Sequence, residues 1–455
     1  MKPEKINTQK SVVVIGGGSS GIGIAASIRK RIKDIDITVV EPNDCHYYQP
    51  AWTLVGGGLF DINKTRRSLR AVLPAGTAWV QDSVVRVEPS QKYIETRQGQ
   101  KINYDFLIVA CGLVLRWDKI EGLEDTLGLN GVTSNYRFDL AEYTWQLVQE
   151  MKGGQAIFSQ PALPIKCAGA PQKALYLSCD HWRRQGILNN INVNFCLAGT
   201  AIFGIPQFVP PLSEYLQKYR AKVNFNHHLI RVDGPNRQAT FAVETNEEGK
   251  RELTLPFDML HVVPPQSAPA FISQSGLAEG SGWCDVDKLT LQHKHWPDIF
   301  AVGDCCSTPN AKTLAAARKQ VVVVAENVAA LIHGAPLTAH YDGYGSCPLT
   351  VEKGKVVLAE FGYDGKLLPT FPLLDATQPS RLAWWLKAWF FPGFIGRACC
   401  VGLNGLPAAS GRDAHSAPLP LWPQQTLDYL ARQSHHRLQV HQADCKPLPL
   451  PVDHR

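Results

Sequence analysis

Residues 12–41 read VVVIGGGSSGIGIAASIRKRIKDIDITVVE, and this stretch restricts the fold more than any other part of the chain. Val12-Val13-Val14-Ile15 is a continuous apolar run, which suits a central parallel strand buried on both faces. Gly16, Gly18 and Gly21 follow in GxGxxG register, with Ser19 and Ser20 between them. A helix through Ala25 and Ala26 to Lys30 comes next, then a strand over 37–40 that ends on Glu41. Glycines at these three places permit a tight turn, close approach of backbone to a pyrophosphate, and packing of helix on strand. The helix N-terminus then faces the phosphates, and Glu41 can accept a hydrogen bond from an adenosine ribose. A GxGxxG alone is a weak signal. With a strand before it, a helix after it and an acid closing the next strand, it predicts a Rossmann-like α/β unit that binds a dinucleotide.

Two later segments point to a flavin as the nucleotide. Phe106-Leu107-Ile108-Val109 is a strand that runs into a small-residue turn, Ala110-Cys111-Gly112. Asp298-Ile299-Phe300-Ala301-Val302 is another, ending on Gly303-Asp304, where a carboxylate could hold ribityl hydroxyls. Asp304 as a plain helix N-cap is the simpler alternative. After it, KTLAAARKQVVVVAENVAALIHG predicts a long apolar helix from near Lys312 to Gly334, with positive potential at its start for a reduced flavin ring.

A chain of this kind usually has a second glycine-rich loop near its middle, where NADH or NADPH docks. The strand is present at Ala156-Ile157-Phe158-Ser159, but QPALPIKCAGAPQK follows it. Two prolines and Cys167 occupy the place of the phosphate cradle, so electrons are expected from something smaller than a nicotinamide. The 12 cysteines have no regular spacing and no CxxC, which excludes a local redox dithiol. Cys45, Cys179, Cys196, Cys284 and Cys445 read as small buried hydrophobes, and the vicinal Cys305-Cys306 as structural. Cys167, preceded by Lys166, and Cys347 in a Gly-Ser-Cys-Pro turn differ from the rest. On the residues alone, pairing the two remains a guess.

At 455 residues the chain has room for two or three domains. The expected division is a flavin-binding domain over 1–126 and 283–340, a second Rossmann-like domain over 127–282 with strands at 155–159, 191–197 and 222–225, and a redox and membrane-interface region over 341–404. A tail over 405–455, rich in Pro and His, completes the chain. The net charge of +6, without Lys/Arg runs interleaved with aromatics, carries no nucleic-acid footprint. His436, His441 and Cys445 match no standard metal spacing. The N-terminal decapeptide lacks an apolar core, so no signal peptide is expected, and no apolar run is long enough to span a bilayer. RLAWWLKAWFFPGFIGR (381–397) is too aromatic for a solvent-facing helix and fits an interfacial segment, a core cap or dimer contact being the alternative.

The segments EPNDCHYYQPAWTLVGGG, KCAGAPQKALYLS, DVDKLTLQHKHWPDIFAVGDC, KTLAAARKQ and YDGYGSCPLT resemble the sulfide:quinone oxidoreductases shared by bacteria and mitochondria, from about residue 10 to about 396. The resemblance implies non-covalent FAD, a redox pair at Cys167 and Cys347, and reduction of a quinone such as ubiquinone on the other side of the ring. Flavin contacts would fall to Gly16, Gly18, Ser19, Ser20, Gly21, Glu41, Gln49, Val84, Ala110, Gly112, Gly303, Asp304 and Lys312. The family places Cys167 towards the flavin and the persulfide on Cys347, a division that these residues do not establish by themselves. It further implies hydrogen sulfide as donor, a small sulfur acceptor (sulfite, glutathione or a cyanide-like nucleophile), and peripheral attachment at the cytoplasmic side or inner membrane; a homo-oligomer stays open. The chain departs from the pattern at Cys111, where Thr or Leu is frequent, and its tail has no counterpart. Three rivals remain. A type II NADH:quinone oxidoreductase needs the missing glycine loop. A flavocytochrome c sulfide dehydrogenase flavin subunit is exported. A flavoprotein redox sensor would turn over little sulfide.

Overall fold

The computed structural model describes residues 10–245, 249–371 and 375–385. The chain divides into two units, Met1–Gly402 and Leu403–Arg455, the second wholly outside the described residues.

The apolar fingerprint strand, Lys10–Ile15, lies at the middle of a five-stranded parallel sheet. In spatial order the sheet runs Ile299–Ala301, Phe106–Val109, Lys10–Ile15, Ile35–Val40, Ala78–Val80. Val12, Val13 and Val14 are at most 1% exposed, as burial on both faces requires. Each such side chain contributes roughly 1.5–3 kcal/mol through burial. The helix Ser19–Arg31 covers one face and packs against the long helix Leu314–Ile332. That second helix starts two residues later than its apolar run suggests, because the Thr313 hydroxyl accepts from Ala316 N and caps it there.

A second five-stranded parallel sheet follows the same logic, in the order Val132–Thr133, Met259–His261, Gly154–Gln160, Ile191–Leu197, Lys222–Asn224. Its strands at 154–160, 191–197 and 222–224 match the sequence expectation closely. The buried helix Ala170–Arg184 packs on it. The segments Val114–Leu115 and Gln266–Ser267 pair antiparallel. The fold is therefore α/β with two Rossmann-like units.

Beyond the long helix, Gly345–Glu352 and Lys355–Phe361 form an antiparallel hairpin that lies against the helix Ala170–Arg184. Buried Asp180 of that helix accepts from Lys353 N at 3.1 Å, and Tyr219 Oη donates to Val351 O at 2.8 Å. These two contacts fix the hairpin, and with it Cys347. Among the described residues no helix is long and apolar enough to cross a membrane. Of the aromatic segment only the helical turn Arg381–Trp385 is described, and 386–455, including His436, His441 and Cys445, lies outside.

Candidate active site

Ligands bind open α/β sheets at the carboxyl ends of the strands, and the fingerprint builds a cradle at that place. A Cβ on Gly21 would collide with Gly16 O, so helix and turn close up only with glycine there. A Cβ on Gly18 would meet nothing within 4 Å: the turn is open on its outer side. The helix that begins at Ser19 has no side-chain cap and no acidic residue in its first turn, which leaves its positive end for an anion. Glu41 Oε2 accepts from Gly17 N at 2.7 Å and Oε1 from Asn43, so the carboxylate is held at the edge of the turn. Ala110 N donates to Ile15 O, and the Gly112 that follows faces open space. Gly303, with φ +83°, approaches Ser20 so closely that a Cβ would strike its hydroxyl. Asp304 thus lies at the start of the same helix. Burial raises its pKa against the pull of Lys312 and Lys166. Val84 pairs with Thr96 in a small antiparallel sheet and packs on the core. An open turn, an uncapped helix start and a carboxylate at its edge fit a dinucleotide.

Lys312 is turned inward. Its Nζ donates to Asp304 O at 2.8 Å and Cys306 O at 2.9 Å and lies 3.8 Å above the Trp283 ring. Burial lowers its pKa.

Where a second glycine loop would stand, the chain is instead laced to the cofactor side. Cys167 N donates to Lys312 O at 2.8 Å, and Lys166 and Lys312 pair in an isolated parallel bridge. Cys167 has φ +47°, a left-handed conformation uncommon for a residue with a Cβ. Ala170 N donates to its carbonyl at 2.7 Å, and the Tyr136 hydroxyl is shared between Lys166 O at 2.9 Å and Cys167 O at 3.2 Å, which holds the turn. Burial, reinforced by Cys167 and Cys347, holds the Tyr136 hydroxyl pKa well above its ordinary value, so it remains a donor.

The lysine that reaches the sulfur is not Lys166 but Lys173. Lys166 Nζ donates to Gln49 Oε1 at 2.6 Å, and burial lowers its pKa to about 8. Lys173, one turn into the helix Ala170–Arg184 and 4% exposed, donates to Cys167 Sγ at 3.0 Å. Burial opposes its charge, but Cys167 and Cys347 together hold its pKa above the usual lysine value. Cys347 comes to the same place from the hairpin. It is 3% exposed, and its Sγ would lie 2.6 Å from a Cβ built on Gly169. Two sulfurs 180 residues apart in sequence therefore share one buried ammonium. Lys173 escaped the sequence reading. The usable signal was a lysine inside APQKALYLS, on a stretch of helix where every residue from 170 to 180 is buried and a charge must have a partner.

A dinucleotide cradle beside a cysteine pair defines a flavin-dependent disulfide oxidoreductase. In agreement, the family description "Pyridine nucleotide-disulphide oxidoreductase" matches residues 10–152. The mitochondrial sulfide:quinone oxidoreductase of Dictyostelium discoideum is 38% identical over 391 residues, 85% of this chain and 85% of that protein. Its counterpart in Mus musculus is 38% identical over 397 residues, 87% and 88% of the two chains. The chain belongs to the sulfide:quinone oxidoreductase family, and its cofactor is FAD. The crystal structure of the sulfide:quinone oxidoreductase from Aquifex aeolicus, 18% identical, superposes with a TM-score of 0.74 over 97% of this chain and 99% of that one, showing the same fold.

Proposed function

We propose that this protein oxidises hydrogen sulfide with Cys167 and Cys347 as its redox pair, and passes two electrons to a quinone and the sulfane sulfur to a small acceptor. The observation that carries this reading is the convergence of both cysteines on Lys173 at the place where a nicotinamide cofactor would otherwise dock.

Hydrosulfide is small and already nucleophilic, so it needs no pocket of nucleotide size. Attack on a Cys167–Cys347 disulfide forms a new S–S bond, leaving a persulfide on one cysteine and a thiolate on the other. The division assigned above by resemblance puts the persulfide on Cys347 and the thiolate on Cys167. The geometry supports that choice, because Lys173 Nζ stands 3.0 Å from Cys167 Sγ and stabilises a negative charge developing there. Tyr136 and Lys312, through the Cys167 backbone, keep the sulfur in position. When bound, FAD would supply the two-electron acceptor on this thiolate side that lets the pair return to the disulfide, and a quinone would reoxidise it. A nucleophile of the sulfite, glutathione or cyanide type then removes the outer sulfur of the persulfide, and the disulfide reforms.

The assignment of the cradle residues, with Gln49, Val84 and Lys312, to FAD belongs to this proposal, as does the division into flavin-binding parts over 1–126 and 283–340 around the unit 127–282. So does attachment to a membrane surface. Leu382 and Trp385 are 58% and 55% exposed on the turn Arg381–Trp385, and such apolar side chains beside Arg381 suit the headgroup boundary. The decisive experiment is anaerobic titration of the purified flavoprotein. Sulfide should bleach the flavin band, and a short-chain quinone should restore it. Rapid bleaching by NADH, with none by sulfide, would overturn the reading.

A further inference from the structure

Gln320 is fully buried, on a face of the helix Leu314–Ile332 that it shares with Ala316, Ala317, Val323 and Val324. An amide among such neighbours needs partners of its own. Its partner is the turn after the strand Ile299–Ala301. Successive main-chain donors there point to opposite sides: Ala301 N to Leu291 O at 3.1 Å, then Val302 N to Val109 O at 3.0 Å. Gly303 N turns back to the first side, past Leu291, and Gln320 Oε1 accepts from it at 2.8 Å. The far end of the amide is fixed as well. Gln320 Nε2 donates to Asn310 Oδ1 at 3.4 Å, and Asn310 Nδ2 to Ala311 O at 2.9 Å. Donors and acceptors thus run one way, from Gly303 N through two side-chain amides to the main chain at 311. Both redox cysteines are attached beside that point. Lys312 O accepts from Cys167 N. A Cβ on Gly345, two residues before Cys347, would lie 3.3 Å from Ala311 Cβ and 3.8 Å from Thr313 Oγ1.

We propose that Gln320 is a positioning residue: with Asn310 it ties the Gly303-Asp304 turn to the segment 311–313, and so fixes the redox pair against the cofactor cradle. Lys312 Nζ holds the later part of the turn, at Asp304 O and Cys306 O, and leaves Gly303 to Gln320. Gly303 in turn stands against the fingerprint helix, where a Cβ on it would come 2.4 Å from Ser20 Oγ. An apolar side chain at 320 would deprive Gly303 N of its acceptor, and the turn would relax towards water at the expense of that close fit. It would also release Asn310 and loosen the segment that carries Cys167. The inference rests on the assignment of the cradle to FAD and is independent of sulfide as the donor.

The test follows flavin release from diluted holoenzyme, read as the rise of free-flavin fluorescence, together with hydrogen exchange at the Cys167 amide. Gln320→Met keeps the length of the side chain and removes the acceptor, and Asn310→Ala removes the second amide. Gln320→Met should speed release by roughly 10-fold, the scale of one main-chain donor left without its partner, and should speed exchange at Cys167. Asn310→Ala should speed release less. The double variant should match Gln320→Met, since both substitutions act through one relay. Release within about twofold of wild type in Gln320→Met, or a double variant whose acceleration is the product of the two, would overturn the proposal. Unchanged exchange at Cys167 would overturn it too. A lowered urea midpoint with unaltered release would leave Gln320 a packing residue only. Glu41→Gln is the control for the cradle. Faster release from it but not from Gln320→Met sinks the relay alone, whereas faster release from neither sinks the cradle assignment as well.

Discussion

Replacing Lys173 by Met removes one buried charge at nearly constant volume, and its effect can be worked from one distance. The Nζ–Sγ separation is 3.0 Å. Opposite unit charges that close at an effective dielectric of about 20 attract by roughly 5.5 kcal/mol, before the cost of burying the ammonium is subtracted. Net contributions of hydrogen bonds to charged groups are about 1.5–3 kcal/mol, and 1.36 kcal/mol corresponds to about one pKa unit. Loss of Lys173 should therefore move the alkylation midpoint of reduced Cys167 up by about one to two units. At neutral pH, sulfide-dependent flavin reduction should slow by roughly 10- to 100-fold. The assay is the pH dependence of iodoacetamide labelling at Cys167, followed by peptide mass in flavin-loaded protein, beside stopped-flow reduction by sulfide. The lysine stays charged across the working range because its pKa is raised, so the difference should persist to alkaline pH. An unchanged midpoint in a variant that keeps its flavin would refute the role given to Lys173.

Cys167→Ala and Cys347→Ala should each abolish sulfide:quinone turnover with FAD still bound; near wild-type rates in either would show that the pair is not the redox centre. Gly169→Ala places a methyl 2.6 Å from Cys347 Sγ and against Leu349, an overpacking that should cost about 1–3 kcal/mol in unfolding experiments and depress turnover more than tenfold, about 1.4 kcal/mol in the barrier; a full rate would mean that the two sulfurs need no close approach. For Lys166, burial holds the folded-state pKa at about 8, below that of the unfolded chain. Between that value and the ordinary lysine value the unfolded chain binds more protons, so this group makes stability rise with pH there. Lys166→Met should remove that rise from the difference in Tm against pH, and parallel curves for the two proteins would count against it.

What could be read in advance follows from the range of each constraint. The fingerprint is local: glycine spacing, the flanking strand and Glu41 all act within thirty residues, and the central parallel strand at 12–15 appears where the pattern puts it. The missing cradle after 154–160 was equally visible, because prolines and a cysteine cannot imitate glycines. Partnership across 180 residues was not. Cys347 reaches Cys167 only because Asp180 and Tyr219 clamp a hairpin onto the helix 170–184, and neither clamp has a sequence signature. The lysines show the same limit. Adjacency in sequence favours Lys166 as the partner of Cys167, yet backbone pairing with Lys312 turns that side chain to Gln49, and the helical turn presents Lys173 instead.

The pairing between Lys166 and Lys312 has a mechanical meaning. Many two-lobed enzymes admit a large donor by hinge opening on the microsecond-to-millisecond scale. Here any hinge between the loop after one parallel sheet and the segment leading into the long helix would have to break Cys167 N–Lys312 O, and would pull on the Tyr136 anchor as well. The two halves are latched by main chain at the reacting sulfur itself. In a chain built this way, opening at this seam forfeits a backbone hydrogen bond beside Cys167, a net cost of about 0.5–1.5 kcal/mol that a loop free of the cofactor side would not meet.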